Sequence, residues 1–244
     1  MNIFFLIPVY NESVNLDLLS EKLQLALQNE RKFYLFIDDK STDDTIEKIH
    51  CLFNKKPYHI ITKEANQGPG DSFNLGFEWI LEHSEDESDI VISLEADNTS
   101  DLDLLPSMVS ISALGYSLVL ASVYVQGGGF DRTSFARRFI SFFANIFLRL
   151  IFNIKIQTLS SFYRVYHISL IKKIKKNFAS IISEKGFVCM FEILLKAVKL
   201  EAAVIEIPMI LKSKNRKDKS KMKIFKTMIQ YMKFTYKLVL KGLK

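Results

Sequence analysis

Two cysteines in 244 residues, Cys51 and Cys189, both in apolar company, give neither a disulfide framework nor a thiolate metal site. The chain is therefore expected in a reducing compartment. Only four histidines occur, His50, His59, His83 and His167. They are scattered, so a His-based metal site or catalytic triad lacks support. No stretch reads as a convincing transmembrane span; the best candidate, Phe139 to Leu148, is ten uncharged residues closed by Arg149, short of the ~20 that a transmembrane helix needs. Met1 leads straight into a strand-like run with no basic n-region, so no signal peptide is expected.

What the chain does contain is ample core material: 48% hydrophobic residues, 12% aromatics and 20 phenylalanines in 28.2 kDa. That suffices for one large α/β domain, or a domain with an appendage. The net charge of +6 is unevenly spread. Leu211 to Lys244 carries 12 Lys/Arg against the single acid Asp218, leaving the preceding part at −5. A basic tail on a mildly acidic body suits an anionic surface, membrane or nucleic acid. The tail's aromatics fall on one helical stripe, so a membrane surface is expected and nucleic acid is not.

Strand and helix patterns alternate. Ile3 to Val9 is an unbroken apolar run, as parallel strands are. Asn11 or Ser13 can cap the following helix, striped by Leu16, Leu19, Leu23 and Leu27. Strands are predicted at Phe33–Ile37, Tyr58–Ile61, the run beginning at Ile90, and Ser117–Ser122. Helices are predicted after Ser41-Thr42-Asp43, after the Asn66–Gly70 turn, and over Leu102–Ala113. This is the pattern of an open, mostly parallel sheet flanked by helices, in which ligands sit outside the carboxyl ends of the strands. Beyond Gly127-Gly128-Gly129, read as a flexible loop, Phe135 to Ile154 predicts a long helix, either core or membrane-interfacial with Arg137, Arg138 and Arg149 at the phosphates. Further helices are predicted at Ile168–Phe178 and Phe187–Lys199, and a strand at Ala203–Ile207 stopped by Pro208. Lys212–Lys223 reads as a mobile loop. Ile224–Leu240 predicts a last helix, with Ile224, Met228, Met232 and Tyr236 opposed to Lys226, Lys233 and Lys237.

The most informative stretch is Ile90-Val91-Ile92-Ser93-Leu94-Glu95-Ala96-Asp97-Asn98. If the strand continues through it, Glu95 and Asp97 at i, i+2 share one face and converge just past the strand end. Paired carboxylates there suit a hard divalent cation, and that cation suits a diphosphate. Asp38 and Asp39 end another predicted strand at the same edge.

Pro8-Val9-Tyr10-Asn11-Glu12, Asp38-Asp39-Lys40-Ser41-Thr42-Asp43-Asp44-Thr45 and Glu95-Ala96-Asp97 occur in the order seen in family-2 GT-A glycosyltransferases. Within these the chain resembles the dolichol-phosphate mannose synthase branch. Asn66-Gln67-Gly68-Pro69-Gly70, Arg137-Arg138-Phe139-Ile140-Ser141, Ser161-Phe162-Tyr163-Arg164-Val165-Tyr166, Glu206-Ile207-Pro208 and Ser220-Lys221-Met222 extend the likeness almost to the C-terminus. The resemblance implies a GT-A fold over residues 1–210, with 135–154 as a membrane-interface helix and 211–244 as a basic loop and amphipathic helix. It implies transfer of a sugar, with inversion, from a nucleotide-diphospho-sugar (GDP-mannose or a UDP-sugar) to a polyprenyl phosphate. The expected place is peripheral or monotopic, at the cytoplasmic face of a membrane. Pro8, Tyr10, Glu12, Ile37, Asp39, Glu95, Ala96 and Asp97 would form the donor pocket, with Ile37 and Asp39 beside base and ribose. The bland alternative for Asp39 is a cap for the helix start at Ser41-Thr42-Asp43. Glu95 and Asp97 would hold Mg²⁺ or Mn²⁺. Arg137, Arg138, Arg164, Arg216 and Lys221 would contact phosphates of donor or acceptor, and Asp97, Arg137 and Arg138 would carry catalysis. Lipid-headgroup contact alone is the alternative for the Arg pair.

This sequence departs from the family pattern in places. Glu95 stands for the usual Asp, Thr99 for a third metal ligand, Val123 for an Arg, and Thr158 for an Asp before the Ser-Phe-Tyr-Arg segment. Near Arg216 the usual glycine is absent. A polyprenyl phosphate is already anionic and needs no general base. A sugar-hydroxyl acceptor, the alternative, would need one, with Glu192 or Asp131 as candidates. The departures also leave open a non-catalytic nucleotide-sugar binder.

Overall fold

The computed structural model describes residues 1–218, 221 and 223–241, apart from the side chains of Ala136, Arg137, Ile224 and Lys241. The first half alternates as its apolar pattern predicts: β1 (Ile3–Val9), α1 (Leu16–Leu25), β2 (Lys32–Asp38), α2 (Thr45–Phe53), β3 (Tyr58–Thr62), α3 (Pro69–His83) and β4 (Ile90–Ser93). A 3-10 turn (Leu102–Leu104), α4 (Leu105–Ala113), β5 (Leu118–Ser122), β6 (Gly129–Phe130) and α5 (Phe135–Phe152) follow. The chain continues through β7 (Arg164–His167), α6 (Ile168–Asn177), α7 (Cys189–Lys199), β8 (Val204–Pro208), β9 (Ile210–Leu211), a second 3-10 turn (Ser213–Asn215) and α8 (Ile224–Lys241).

The main sheet has seven strands in the order β3-β2-β1-β4-β7-β5-β8. β1 runs parallel to β2 and β4, β2 to β3, and β5 to β8. Only β7 is antiparallel, pairing Ile92 with Val165 on one side and Val119 with Val165 on the other. The residues of β7 are legible in sequence as a motif but not as a strand, because four residues carry too little periodicity. β6 pairs with β9 as a small second sheet, so part of the Gly127–Gly129 loop is ordered by the chain beyond Pro208.

Side chains alternate across the sheet, and each face has its own core. Phe4, Leu6, Leu35, Val91 and Leu120 point into a cluster closed by α3, α6, α7 and α8. Phe5, Ile7, Tyr34, Phe36 and Ile92 point into a second, closed by α1, α2 and α4. Each such burial contributes ~1.5–3 kcal/mol. This double cover holds the strand ends, and hence the loops after them, in fixed relation.

Two helices are apolar where they are not covered. α5 buries Leu148 and the Asn145 amide, yet Phe139, Phe143, Phe147 and Leu150 stand exposed, Leu150 by 77%. α8 packs through Phe234 and Leu238, with the Phe191 ring edge-on to Phe234 at 6.0 Å between centroids. Its predicted apolar stripe points outward: Met228, Met232 and Tyr236 are exposed, together with Phe225, Val239 and Leu240. Among the described residues, no helix is long and apolar enough to cross a membrane.

Candidate functional site

The loops after β1, β2 and β4 meet at one edge of the sheet. β4 ends at Ser93, so Glu95 and Asp97 do not extend it as the alternating pattern suggested. Leu94 N–H makes one more bond, to the Leu6 carbonyl at 3.3 Å, before the chain leaves the ladder. Asn98 then takes a left-handed φ of 63°, and Asp97 Oδ1 accepts from Thr99 N at 3.1 Å and Thr99 Oγ1 at 2.7 Å. Local side-chain-to-backbone bonds of this kind compete with a ladder and turn the chain. The two acids nevertheless stay together, on a buried loop instead of a strand.

Around them the structure gathers Glu12, Arg216 and Lys221. Arg216 Nε donates to Asp97 Oδ2 at 2.8 Å, and its Nη2 contacts the same oxygen. Lys221 Nζ donates to the Asn11 carbonyl at 2.7 Å and pairs with Glu12. Asn15 Nδ2 donates to Glu12 Oε2 at 2.7 Å. Burial raises the Glu12 carboxyl above its ordinary value, and Lys221 opposes the rise. Glu95 is pushed up to about 8, first by burial and then by the charge of Asp97, against the pull of Arg216. Negative charge at this loop is thus only partly compensated by the protein's own cations.

That deficit bears on the expected metal. Glu95 and Asp97 are hard oxygen donors, the type that Mg²⁺ and Mn²⁺ take, and Mg²⁺ commonly uses only one or two carboxylates plus substrate phosphates. No group of three or more His, Cys, Asp or Glu side chains arranged for a metal occurs among the described residues. The donor set therefore fits a two-carboxylate site completed by a ligand, and does not fit an all-protein cage.

The loop after β2 is a second centre. Asp38 accepts from Ser41 N–H at 3.1 and 3.2 Å, taking the role considered for Asp39. Asp39 instead accepts from Gln67 N–H and Gly68 N–H, both at 2.8 Å, and pairs with buried Lys63 at 2.6 Å. Lys63 also pairs with Asp71 at 2.8 Å. Gly68 has a φ of 96°, and a Cβ on Gly70 would lie 1.9 Å from the Glu184 carbonyl, so this turn admits little but glycine. Lys63 escaped the sequence reading; its one signal is a cation two residues after a predicted strand.

Other predicted residues fall as follows. Pro8 and Tyr10 are half-buried at the end of β1. Ile37 is wholly buried in the first core cluster, so its side chain faces the core and not a base. Ala96 is buried in the second cluster. Arg138 is exposed on the first turn of α5, while the Arg137 side chain, Ser220 and Met222 lie outside the described residues. Arg164 is a correction. It is fully buried and donates to the carbonyls of Ser161 at 2.7 Å, Met190 at 2.8 Å and Leu159 at 2.9 Å, so it braces the core and cannot reach a phosphate. Glu192 is another: it is 1% exposed and engaged by Lys196, Ser183 and Glu184, which removes it as a base. On the far side of the sheet edge Thr158 Oγ1 and Ser122 Oγ bond each other at 2.6 Å where an acid was expected. Residues 212–223 were expected to be a mobile loop. Lys212, Arg216 and Lys221 tie the described part to Asp101, Asp97 and Glu12.

Known proteins share both sequence and fold with this chain. A dolichol-phosphate mannosyltransferase of Pyrococcus furiosus is 28% identical over 243 residues, covering 98% of this chain and 64% of the relative, so the chain spans about two thirds of that protein's length. A polyprenol monophosphomannose synthase of Mycolicibacterium smegmatis is 25% identical, covering 83% of this chain and 74% of that one. Among solved structures, glucosyl-3-phosphoglycerate synthase from Mycobacterium tuberculosis, in complex with Mn²⁺, uridine diphosphate and glucosyl-3-phosphoglycerate, superposes with a TM-score of 0.67 at 14% identity, covering 99% and 80% of the two chains. S. aureus TarS residues 1–349 give 0.56 at 22% identity, covering 85% and 58%. The sequence matches the glycosyl transferase family 2 over residues 4–175. With that match over most of its length, and with the GT-A fold behind it, the chain belongs to glycosyl transferase family 2.

Proposed function

We propose that this protein transfers a sugar, with inversion, from a nucleotide-diphospho-sugar to a polyprenyl phosphate at a membrane surface. The observation that carries the reading is the pairing of an acidic, under-compensated loop at the strand ends with two helices, α5 and α8, whose aromatic and aliphatic stripes face outward. Contiguous exposed apolar surface of this kind marks a membrane or protein contact, and Arg138, Lys226, Lys233 and Lys237 suit it to anionic headgroups. The names of the Pyrococcus and Mycolicibacterium relatives support the same acceptor class.

The chain's own residues supply the following chemistry. Asp39 has three of its four acceptor positions filled, leaving one for a ribose hydroxyl or a base N–H. Arg216 and Lys221, held at Asp97 and Glu12, would neutralise the leaving diphosphate, Arg216 with a fork that matches phosphate oxygens. Glu95 and Asp97 would hold Mg²⁺ or Mn²⁺, which when bound stabilises the charge of the departing nucleoside diphosphate. The acceptor phosphate oxygen attacks the anomeric carbon as an anion. No base is required, which accords with the Ser122–Thr158 hydroxyl pair and with Glu192 being sealed in the core.

The test is transfer from radiolabelled GDP-mannose and UDP-sugars to polyprenyl phosphate in vesicles, with and without chelator. Label in the lipid phase, lost with chelator and in Asp97→Ala, is expected. Label remaining aqueous for every donor refutes the lipid acceptor, and tight donor binding without any transfer points to a binder instead of an enzyme.

A further inference from the structure

The four acceptor positions of Asp97 are all taken by the protein itself. Oδ1 receives the amide and hydroxyl of Thr99 at 3.1 and 2.7 Å, and Oδ2 receives Nε of Arg216 at 2.8 Å together with its Nη2. A divalent cation can ligate Oδ2 only if the guanidinium leaves. Arg216 is held there by the segment around it. Lys212 N–H donates to the Thr99 carbonyl at 2.9 Å, and Lys212 Nζ pairs with Asp101 at 2.7 Å. Lys217 N–H donates to Asn15 Oδ1 at 3.2 Å, and Asn15 Nδ2 reaches Asp218 at 3.3 Å. Lys221 closes the row on Glu12.

We infer that Arg216 is an exchangeable counter-ion that makes cation and nucleotide binding depend on one another. Resting on Asp97, it blocks a free divalent cation. A diphosphate offers the guanidinium a better, doubly charged partner and draws it off, opening Asp97 to the cation that the same diphosphate needs. Each ligand thereby removes an obstacle to the other, a coupling that by linkage acts equally in both directions. This inference rests on the donor-site reading above, and it adds that the site discriminates against bare cation. The effect of Arg216 is read in binding, apart from turnover.

The experiment follows free Mn²⁺ by electron paramagnetic resonance during titration of the purified protein, with UDP and GDP binding measured separately by calorimetry in EDTA. Wild type, Arg216→Gln, Arg216→Lys and Lys214→Gln are compared, with circular dichroism to confirm folding. Mn²⁺ alone should bind Arg216→Gln about tenfold more tightly than wild type, since tenfold is ~1.4 kcal/mol, within the usual range of site coupling. Arg216→Lys should fall between, because a single ammonium cannot fill Oδ2 as the fork does. Lys214→Gln, which removes the same charge from the same segment at an exposed side chain, should stay within about twofold of wild type. UDP or GDP should bind Arg216→Gln more weakly than wild type. Equal Mn²⁺ affinity in wild type and Arg216→Gln, or an equal gain in Lys214→Gln, overturns the exchange and leaves the donor reading standing. Failure of both UDP and GDP to bind any variant, with or without Mn²⁺, overturns the donor reading and the exchange with it.

Discussion

Replacing Glu192 with alanine should destabilise the protein severely, and for a reason unrelated to catalysis. Its carboxylate accepts from Ser183 Oγ and Glu184 N–H, both at 2.8 Å, from Ser183 N–H at 3.0 Å and from Lys196 Nζ at 2.6 Å. Lys196 is itself fully buried, and besides Glu192 it meets neutral groups: the carbonyls of Ser180 at 3.0 Å and Ile181 at 3.1 Å, and the Phe178 ring, 5.4 Å from Nζ to the centroid. Removing one member of a buried pair strands the other charge and costs ~3–5 kcal/mol. Against a total of ~5–15 kcal/mol this is a large share, and at ~2–4 °C per kcal/mol it lowers Tm by ~10 °C. Urea unfolding followed by circular dichroism measures it. The double variant Glu192→Met, Lys196→Met removes both charges and should lose less than the sum of the single changes. The loop concerned also delivers the Lys185 carbonyl to Gly70 N–H at 2.8 Å, so nucleotide binding should weaken in the single variant. A cost below ~1 kcal/mol for Glu192→Ala, or strict additivity in the double variant, refutes the reasoning.

Gly70→Ala should cost ~1–3 kcal/mol through overpacking, because its Cβ meets the Glu184 carbonyl at 1.9 Å and Cys189 Cβ at 2.8 Å; an unchanged Tm contradicts this. In the native protein one thiol of two should react quickly with a disulfide reagent: Cys51 is exposed, whereas Cys189 is buried and its thiol is pushed up by that burial. Two fast thiols before unfolding would contradict the packing of α7. With EDTA present, wild type should lose stability relative to Glu95→Gln as pH rises from 4.5 towards about 8. In that window the unfolded chain has released the Glu95 proton while the folded protein still holds it, so stability falls with pH and levels off above. A stability gap that does not change with pH, followed by urea unfolding, counts against the buried placement of Glu95.

Most of the fold is legible in the sequence because it rests on apolar runs, which are local signals. Ile3–Val9 and Tyr58–Thr62 stand where their patterns place them. The strand β7 escapes, since Arg164-Val165-Tyr166-His167 gains its extended form from pairing with β4 and β5, both remote in sequence. Among site residues, the grouping of Glu95 and Asp97 was legible, but their geometry was not. Thr99 and Asn98 turn the chain by bonds that a two-residue alternation ignores. Arg164 was misread because a motif shows that an arginine is present, not which way it faces. The partners of Asp97 and Glu12 lie 119 and 209 residues away in the chain, a distance over which no local pattern carries information.

The lone antiparallel strand has a consequence for how such a protein can change. Leu120 of β5 lies beside Arg164 of β7, and Ala121 N–H donates to the Tyr163 carbonyl at 3.1 Å, so the chain leaves and re-enters the sheet at neighbouring points. The segment between, including α5 with its outward aromatic face, is a cassette clipped at its base and steadied once more where β6 pairs with β9. Lengthening it adds only ~0.6 kcal/mol of closure entropy for each doubling and leaves every register of the sheet untouched. Variation in what docks beside the site can therefore accumulate in residues 122–162 while the nucleotide half, built on β1 to β4, stays as it is.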